Sequence, residues 1–491
     1  MSQYWILAAI LLPILGGVLV YILPFKNKKQ MHCCIELIVI ITSVITGLVL
    51  LHGHKGRLEL IHFVNNLSIS FKIDGMTMVF AGLIAILWPL ATLYAFEYME
   101  HDTREKPFFM FYIMTYGVTL GIAFASDILT MYLFYELLTL VTVPLVMHSL
   151  TREAVHATRK YLYFSIGGAA FALMAMIFII IYGDSCEFIL GGIMHTAAKS
   201  DYAYLFLWIY LLSFMGFGVK SAIWPTSSWL PQAGVAPTPV TALLHAVAVV
   251  NAGAFGIIRL TYYSFGTDFL RGTWVQYVCM AIAIFTIVYG CSRAVKESHI
   301  KRRLAWSTVG NLSYIIFGAT IMTPLGLAGA LAHFVFHGFM KICSFFCAGA
   351  FMHVTGKSYV YEMSGMGRKM KCIFLCMTVS GLGLMGVPGL AGFISKWGLT
   401  SAAVESGNPL AYVGIVALLL SAILTAIYML SITNRAFFPH DTLDYDTIAD
   451  VHDPGWKMCL PIIVCAAATV VLGLFSAPLV EFFENIAFGN L

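Results

Sequence analysis

Residues 220–245 read KSAIWPTSSWLPQAGVAPTPVTALLH and separate two apolar segments. Lys220 ends the first segment, and His245 lies on the second. Proline removes a backbone donor and breaks a helix, and inside a membrane such a break is tolerated only where protein or a water-filled cavity satisfies the freed groups. A lysine beside a broken helix at membrane depth therefore indicates an ion path rather than a structural core. The prolines between the two segments are Pro225, Pro231, Pro237 and Pro239.

The composition is that of a membrane protein. Of 491 residues, 60% are apolar and only 11% are charged, whereas soluble chains carry about 25% charged residues. Apolar runs of about 20 residues recur along the whole chain and predict an all-α polytopic membrane protein with about 14 transmembrane helices. We expect the first run, 4–24, to be a retained span rather than a signal peptide, and the last span to cover 458–485.

Net charge and cysteine usage exclude several classes of protein. A net charge of +4 does not indicate nucleic-acid binding. The 11 cysteines lie mostly within apolar segments and form no Cys-x-x-Cys pair, so neither a zinc site nor a disulfide framework is predicted. No cofactor motif or nucleotide-binding loop is found, and we expect no cofactor and no catalytic chemistry in this chain.

Two of the predicted spans are interrupted. The seventh, 203–222, is expected to break at Pro225, and the twelfth, 372–401, in the stretch 386–389 ahead of Lys396. Broken helices in corresponding positions are the usual sign of inverted repeats, so helices 7 and 12 predict two inverted five-helix repeats. The predicted division is 1–107 (three N-terminal helices), 108–264 (first repeat, helices 4–8), 265–435 (second repeat, helices 9–13) and 436–491 (acidic loop and last helix).

Loop charge predicts the orientation. Lysine and arginine, including Lys301, Arg302 and Arg303, concentrate in the loops that follow odd-numbered spans. This pattern places those loops in the cytoplasm and both termini outside. The expected location is the inner membrane of a prokaryotic cell. An acidic loop joins the last two spans; we expect it to be solvated, with a docking surface for a partner as the alternative. Its acidic residues are Asp441, Asp444, Asp446, Asp450 and Asp453.

Charged residues inside the spans are few. Glu136 is the one acidic residue predicted to lie deep in a span, and a charge there costs about 2.5–3.5 kcal/mol on insertion scales. Desolvation favours the neutral form of a buried lysine, and a nearby carboxylate opposes this. A proton relay in which Glu136 controls Lys220 is the functional interpretation; a structural Glu–Lys pair is the alternative. The basic residues within spans are Lys220, Arg259, Lys341 and Lys396.

Histidines extend this set. His333, His337 and Lys341 are spaced by four, which places them on one helix face with about 6 Å per step. Histidine titrates near neutral pH and can pass a proton between neighbours. A metal site is the alternative, but its third ligand position would be a lysine. A relay role is also predicted for His245, against a hydrogen-bonded core histidine.

Residues nearer the span ends have other expected roles. Arg259 is expected to extend to the membrane interface. Asp74, Asp127 and Arg159 could each cap a helix, anchor it at the interface or belong to a path.

These motifs resemble the antiporter-like membrane subunits shared by respiratory complex I, the multisubunit sodium/proton antiporters, in particular their D-type chain, and the group 4 membrane-bound hydrogenases. The resemblance covers about spans 3–13. It rests on SDILTMYLFYELL around Glu136, the broken stretch 220–245, KRRLAWSTVGNLSY, HFVFHGFMKICSFFCAGA and GVPGLAGFISKWGL. It implies 14 helices with two inverted repeats and a proton relay made of Glu136, Lys220, His245, His333, His337, Lys341 and Lys396.

Three departures from the family pattern matter. Asn251 stands where many relatives have a lysine on the eighth span, so His245 could carry that step alone. Ser227 and Gln232 stand where the broken segment often has a histidine and an aspartate. The chain also ends soon after the last span, which disfavours the distal complex I subunit with its long lateral helix.

The sequence thus predicts a proton-translocating subunit of a larger ion-pumping complex, either hydrogenase-like or complex I-like. Protons would enter near Lys220 and His245, cross through Lys341 and its two histidines, and leave by Lys396. Expected partners are other membrane subunits, including neighbouring antiporter-like ones, protons, sodium as an alternative ion, and the bilayer. Alternatives are the D-type chain of a redox-independent sodium/proton antiporter, a non-conducting scaffold and, more distantly, a carrier for an organic substrate.

Overall fold

A computed structural model describes residues 3–53, 56–63, 67–194, 201–439 and 450–490. Within these ranges the chain is almost entirely helical, and 13 helices are long and apolar enough to cross a membrane. A further span, the twelfth, consists of two shorter helices, Lys371–Met385 and Ala391–Glu405. The prediction of a polytopic all-α membrane protein with about 14 spans is therefore confirmed.

The spans follow one another with short connections. In chain order the helices that form spans one to seven are Trp5–Ile22, Lys28–His52, Gly75–Tyr98, Glu105–Phe124, Ile128–Val146, Arg152–Tyr182 and Ala203–Lys220. The eighth span combines Thr238–Ala246, Val249–Ile258 and a π-helical turn at Arg259–Phe265, and a short helix, Thr267–Leu270, follows it. Spans nine to eleven, thirteen and fourteen are Trp274–Lys296, Ile300–Ile321, Pro324–Thr355, Pro409–Phe437 and Trp456–Leu474.

Burial separates central spans from peripheral ones. The most apolar stretches of the eighth and tenth spans are 100% buried and that of the eleventh is 94% buried, whereas that of the second is 28% buried. The apolar faces that the peripheral spans leave open suit contact with lipid chains. The eighth and eleventh spans carry residues predicted for the relay, and the tenth packs against the eleventh, so the fold places that chemistry at its centre.

The seventh span breaks earlier than predicted. Its helix ends at Lys220, five residues before Pro225, and Ala222 adopts a positive φ of 54°. The amides of Ala222 and Ile223 turn back to the carbonyls of Val219 and Gly218 at 3.0 and 3.1 Å. Two short helices, Thr226–Ser228 and Trp229–Ala233, then continue the chain. Because the turn begins directly after Lys220, this lysine lies at the helix end itself.

The twelfth span breaks where the sequence predicted. Its first helix ends at Met385, and Gly386 and Gly389 adopt φ values of 91° and 87°. Such angles are readily available only to glycine. Pro388 between them has no amide hydrogen with which to continue the helix. The second helix begins at Ala391 and carries Lys396.

The eighth span contains a break that was not predicted. Val247 and Ala248 leave the helical region, with φ/ψ of −136°/−53° and −85°/−87°. Neither proline nor glycine marks this position. The amide group of Asn251 donates to the carbonyl of Ala246 at 2.9 Å, and so satisfies an acceptor that the break would otherwise leave open.

The predicted last span, 458–485, is too long. The fourteenth helix ends at Leu474, and a separate helix, Ala477–Ala487, follows. Pro478 lacks the amide hydrogen that a continuous helix would need there. The second helix packs beside the eleventh span, where the rings of Phe336 and Phe483 are 6.5 Å apart.

A β-hairpin between the second and third spans was also missed. Leu58–His62 pairs antiparallel with Ser68–Phe71. The hairpin is joined to the fifth span, because the Ser70 amide donates to the Thr130 hydroxyl at 2.9 Å.

The acidic loop is only partly described. Asp441, Asp444 and Asp446 lie outside the described residues. Asp453 accepts hydrogen bonds from the amides of Cys372 and Ile373, at 3.1 and 3.2 Å. A carboxylate is favourable at a helix N-terminus, so this residue holds the start of the twelfth span.

Candidate functional site

Lys220 and Glu136 lie on neighbouring spans but do not touch. Lys220 is 1% exposed, and its amine donates to the backbone carbonyl of Tyr135 and lies 3.3 Å from the centre of the Tyr135 ring. Glu136 is half-buried, and its Oε1 has no hydrogen-bond partner among the described residues. The two charges still act on each other. The carboxylate therefore influences the lysine through space, without a direct hydrogen bond.

His245 lies two residues before the break in the eighth span. It is fully buried, its ring is 4.7 Å from that of Phe345, and neither ring nitrogen has a hydrogen-bond partner in the described part of the chain. The hydrogen-bonded core histidine was the alternative for this residue, and the described contacts do not supply the bonds it requires. Asn251, in contrast, is used by the backbone at the break.

His333, His337 and Lys341 face the centre of the molecule from the eleventh span, as their spacing predicted. All three are fully buried, and the two imidazole rings are 5.8 Å apart. His333 Nδ1 is 2.9 Å from the Ser395 hydroxyl, which precedes Lys396 on the twelfth span. The histidines thus connect the eleventh span to the second broken helix.

Lys341 has a hydroxyl partner rather than a carboxylate. Its amine donates to Ser307 Oγ at 2.7 Å, and Ser307 Oγ is 2.6 Å from the Tyr428 hydroxyl. Tyr428 donates to Thr425 at 3.1 Å. Sequence reasoning missed this network, because serine and tyrosine are common in spans and only the packing of the tenth and thirteenth spans brings them together.

A second set of hydroxyls lies near Lys396. The hydroxyls of Tyr314 and Ser421 are hydrogen-bonded, and the Tyr314 ring lies 5.2 Å from the Lys396 amine and 4.9 Å from the His333 ring. The Lys396 amine itself donates to the carbonyls of Leu384 and Met385 at 2.7 and 2.9 Å. These are the last carbonyls of the helix that precedes the break, where the helix dipole favours a cation.

Lys301 was assigned to a loop, but it is buried. It is 4% exposed at the start of the tenth span, and its amine donates to the Ala236 carbonyl at 2.6 Å. A cavity of about 570 Å³ extends from it, with Glu153 and His156 on its wall. The cavity lies on the face of the protein that carries the basic loops, which we call the basic face. It offers water a route toward the eighth span.

Arg259 does not extend to the interface as expected. It is fully buried and binds both carboxylate oxygens of Asp74, at 2.7 and 2.8 Å, among the rings of Phe188, Phe255 and Tyr263. Burial alone would raise the pKa of Asp74, but the Arg259 guanidinium lowers it to about 2. The pair therefore remains charged at neutral pH.

Asp74 and Asp127 cap helices, which was one of their expected roles. Asp74 accepts from the Thr77 amide at 2.9 Å and Asp127 from the Thr130 amide at 2.7 Å. Burial raises the pKa of Asp127, against the opposing effect of its hydrogen bonds from Ser70 and Thr130.

Glu36 is a second acidic residue inside a span, contrary to the prediction that only Glu136 lies deep. The second helix begins at Lys28 rather than near residue 33, so Glu36 is two turns inside it. Its Oε2 is buried without a hydrogen-bond partner among the described residues.

The metal alternative gains no geometric support. Among the described residues, no group of three or more histidine, cysteine, aspartate or glutamate side chains is placed to hold a metal ion. In the described ranges, His333 and His337 thus belong to no group of three such side chains that could hold a metal ion.

Comparison with known proteins defines the class. The family described as "NADH:quinone oxidoreductase/Mrp antiporter, TM" matches residues 125–425, and the N-terminal family of complex I chain 5 matches residues 62–109. The first match covers more than half of the chain, and the chain belongs to this family. It is an antiporter-like integral membrane subunit.

Individual relatives agree with this assignment. The chain is 27% identical over 455 residues to NAD(P)H-quinone oxidoreductase chain 4 2 of Trichodesmium erythraeum, which covers 88% of this chain and 78% of the relative. It is 27% identical over 466 residues to chain 4 3 of Picosynechococcus, with 92% and 82% covered.

Two solved structures share the fold. A chain of an archaeal membrane-bound sulfane sulfur reductase superposes with a TM-score of 0.84 at 20% identity, covering 98% of this chain and 97% of the other. A chain of the Mrp complex of Dietzia superposes with a TM-score of 0.82 at 20% identity, covering 99% and 96%.

Proposed function

We propose that this chain translocates protons as one membrane subunit of a multisubunit ion-pumping complex. The observation that carries the proposal is the line of buried titratable and hydroxyl groups through the central spans. Lys220 and His245 form its input, Lys341 with His333 and His337 its centre, and Lys396 its output. The hydroxyls of Ser307 and Tyr428 lie beside Lys341, and those of Tyr314 and Ser421 lie near Lys396. Thr425 joins the two pairs, because its hydroxyl accepts from Tyr428 and donates to the backbone carbonyl of Ser421.

Entry would occur from the basic face, which we propose is cytoplasmic, with both termini outside the cell. The cavity at Lys301 supports this entry side. Lys301 holds the Ala236 carbonyl just ahead of the helix that carries His245. Water in the cavity can therefore reach Lys301. From there the proposed path continues toward the break in the eighth span.

Glu136 would control the input lysine. Its carboxylate acts on Lys220 without binding it, so a movement of either group changes the attraction between them strongly in a low-dielectric site. A neighbouring antiporter-like subunit could cause such a movement. We also propose the division into 1–107, 108–264, 265–435 and 436–491, with the second five-helix unit inverted relative to the first.

Similarity to quinone oxidoreductase chains favours a redox-driven complex that transports protons. We propose that this complex lies in the inner membrane of a prokaryotic cell. The similarity in fold to a chain of the Mrp complex keeps a redox-independent sodium/proton antiporter as the second candidate. The genes beside this one separate the two: genes for hydrogenase or dehydrogenase subunits support the first candidate, and antiporter genes alone support the second.

The direct test is proton transport by the complete complex in proteoliposomes. Replacing Lys220 or Lys396 with alanine should reduce transport by about a hundredfold, in the range expected when a positioned proton-transfer group is removed. Lys296→Ala is the matched control, because Lys296 is exposed at the end of the ninth span. Unchanged transport in both buried-lysine variants would favour the scaffold alternative.

A further inference from the structure

Glu36 is a carboxylate inside the membrane that the central line does not use. It lies eight residues into a helix that begins at Lys28, about 12 Å from the helix start. It forms no ion pair with any described residue, and its Oε2 is buried without a partner. An unpaired carboxylate at such a depth is costly in its charged form. This position therefore favours a group that takes up a proton.

Toward the basic face, Glu36 is followed by an imidazole and a carboxylate that can exchange protons. His32, one turn nearer the basic face, is hydrogen-bonded to Glu105, and its ring stacks on Phe96 at 4.4 Å. Lys28 binds the other oxygen of Glu105 at 2.9 Å. These groups form a short ladder from the basic face to Glu36, because residues four apart lie about 6 Å from each other on a helix.

Within the part of the chain that the structure describes, no further element brings a charged group to Glu36. The first span has no charged residue. The third span has one, Glu97, which accepts hydrogen bonds from the amides of Gly455 and Met458 at the start of the fourteenth span. The fourth span presents Tyr112, which the Glu36 charge affects. The remaining titratable groups nearby are Cys33 and Cys34 on the same helix and Tyr116, which is bonded to Ser43.

Water can reach the outer end of this ladder. A cavity of about 360 Å³ on the basic face is lined by Lys28 and Glu105 together with Asp102 and Lys106. It is separate from the cavity at Lys301. The His32–Glu105 pair therefore stands between bulk water and Glu36.

We propose that Glu36 is the proton-binding site of a second, lateral input branch in the three N-terminal helices. A proton passes from water to the His32–Glu105 pair and then to the Glu36 carboxylate, which becomes a neutral acid. Only O–H and N–H bonds are made and broken in these steps. The inference rests on the proposed function, because the proton must then join the central line.

The geometry also indicates where the branch joins. Tyr112 lies about 10 Å into its helix and His245 about 10 Å into the eighth span, both counted from the basic face. Tyr112 lines a narrow void of about 10 Å³ whose other wall includes Leu244 and Ala248, on either side of the break that follows His245. The Tyr112 hydroxyl is buried and has no hydrogen-bond partner among the described residues. Rotation of this hydroxyl would connect Glu36 with the eighth span.

The test is Glu36→Gln in the complete reconstituted complex, with proton transport measured at two pH values. A parallel branch matters most when protons are scarce, so transport should fall about threefold near pH 8.5 and change little near pH 6.5. Glu36→Asp, which keeps the carboxyl, should retain most of the rate at both. Glu59→Gln on the exposed hairpin makes the same chemical change outside the membrane and should have no effect.

Carbodiimide labelling gives an independent readout on the wild-type complex. Dicyclohexylcarbodiimide adds to protonated carboxyl groups in apolar surroundings, so mass spectrometry should find the label on Glu36. Absence of this label, or wild-type transport by Glu36→Gln near pH 8.5, overturns the branch. If Glu36→Gln does not assemble, the wild-type label decides the question. Failure of the proposed function itself would be recognised separately. In that case Lys220→Ala and Lys396→Ala would transport protons at the wild-type rate.

Discussion

The lysines at the two broken spans both donate to backbone carbonyls, but among the described residues only Lys220 has a carboxylate close by. Lys220 lies near a carboxylate that does not bind it, and in the same half of the chain Arg259 is paired with Asp74. In the other half, Lys396 binds the carbonyls that end a helix, and Lys341 binds a serine hydroxyl. Neither of these two lysines forms an ion pair with a described carboxylate.

This difference divides the work of a relay. A lysine with a nearby carboxylate changes its proton affinity when the carboxylate moves or is neutralised. A lysine held by carbonyls and hydroxyls has fixed dipoles around it, and its affinity is set by the fold. The first half is therefore suited to control, and the second half to conduction and release.

The strongest test of this difference between the two halves is a substitution at Glu136. Glu136→Gln should reduce transport about tenfold, which corresponds to the loss of about 1.4 kcal/mol of interaction with the charged form of Lys220. The measurement is the initial rate of proton uptake into proteoliposomes. Glu136→Asp should recover much of the rate because it keeps the charge. If glutamine and aspartate behave alike, the carboxylate has no electrostatic role and the two halves do not differ in this respect.

Much of the fold could be predicted because membrane spans and glycine–proline breaks are local features. The break in the twelfth span could be predicted from Gly386 and Pro388 alone. The break at Val247 and Ala248 could not be predicted, since what stabilises it is the hydrogen bond from Asn251 and the contacts of neighbouring spans. The seventh helix likewise ends where its turn can be hydrogen-bonded, and not at the proline.

The buried charged residues of the candidate site could be picked out from the sequence by their type, whereas the neutral groups that surround them could not. Each predicted relay residue is rare in a membrane, so the residue type was signal enough. The hydroxyls of Ser307 and Tyr428 have many counterparts in other spans, and only tertiary packing selects them. Lys301 was hidden in the run Lys301-Arg302-Arg303, because a basic run at a span end is typical of a loop.

A second test removes one hydroxyl from the network beside Lys341, in the second half of the chain. Tyr428→Phe removes the hydroxyl that bonds to Ser307 and leaves the ring in place. A single hydrogen bond contributes about 1 kcal/mol, so transport should fall about fivefold if this hydroxyl lies on the path. Tyr361→Phe is the control, because Tyr361 is 57% exposed. A normal rate in Tyr428→Phe would show that protons bypass the network.

The smallest effect is expected from Asp74, which supports the first half without lying on the path. Asp74→Asn leaves Arg259 buried without its anionic partner and should cost about 3–5 kcal/mol of stability, with little direct effect on transport by the folded complex. The pKa of Asp74 is lowered to about 2 in the folded protein, so its contribution is present above about pH 4 and is lost as the pH falls toward 2. Thermal unfolding in detergent should therefore show wild type losing stability over that interval, while Asp74→Asn, already destabilised at pH 7, loses less. Asp268→Asn, an exposed acid on the same face, should follow the wild-type curve. A wild-type curve for Asp74→Asn as well would mean that the Arg259 site is stabilised by its aromatic rings rather than by charge.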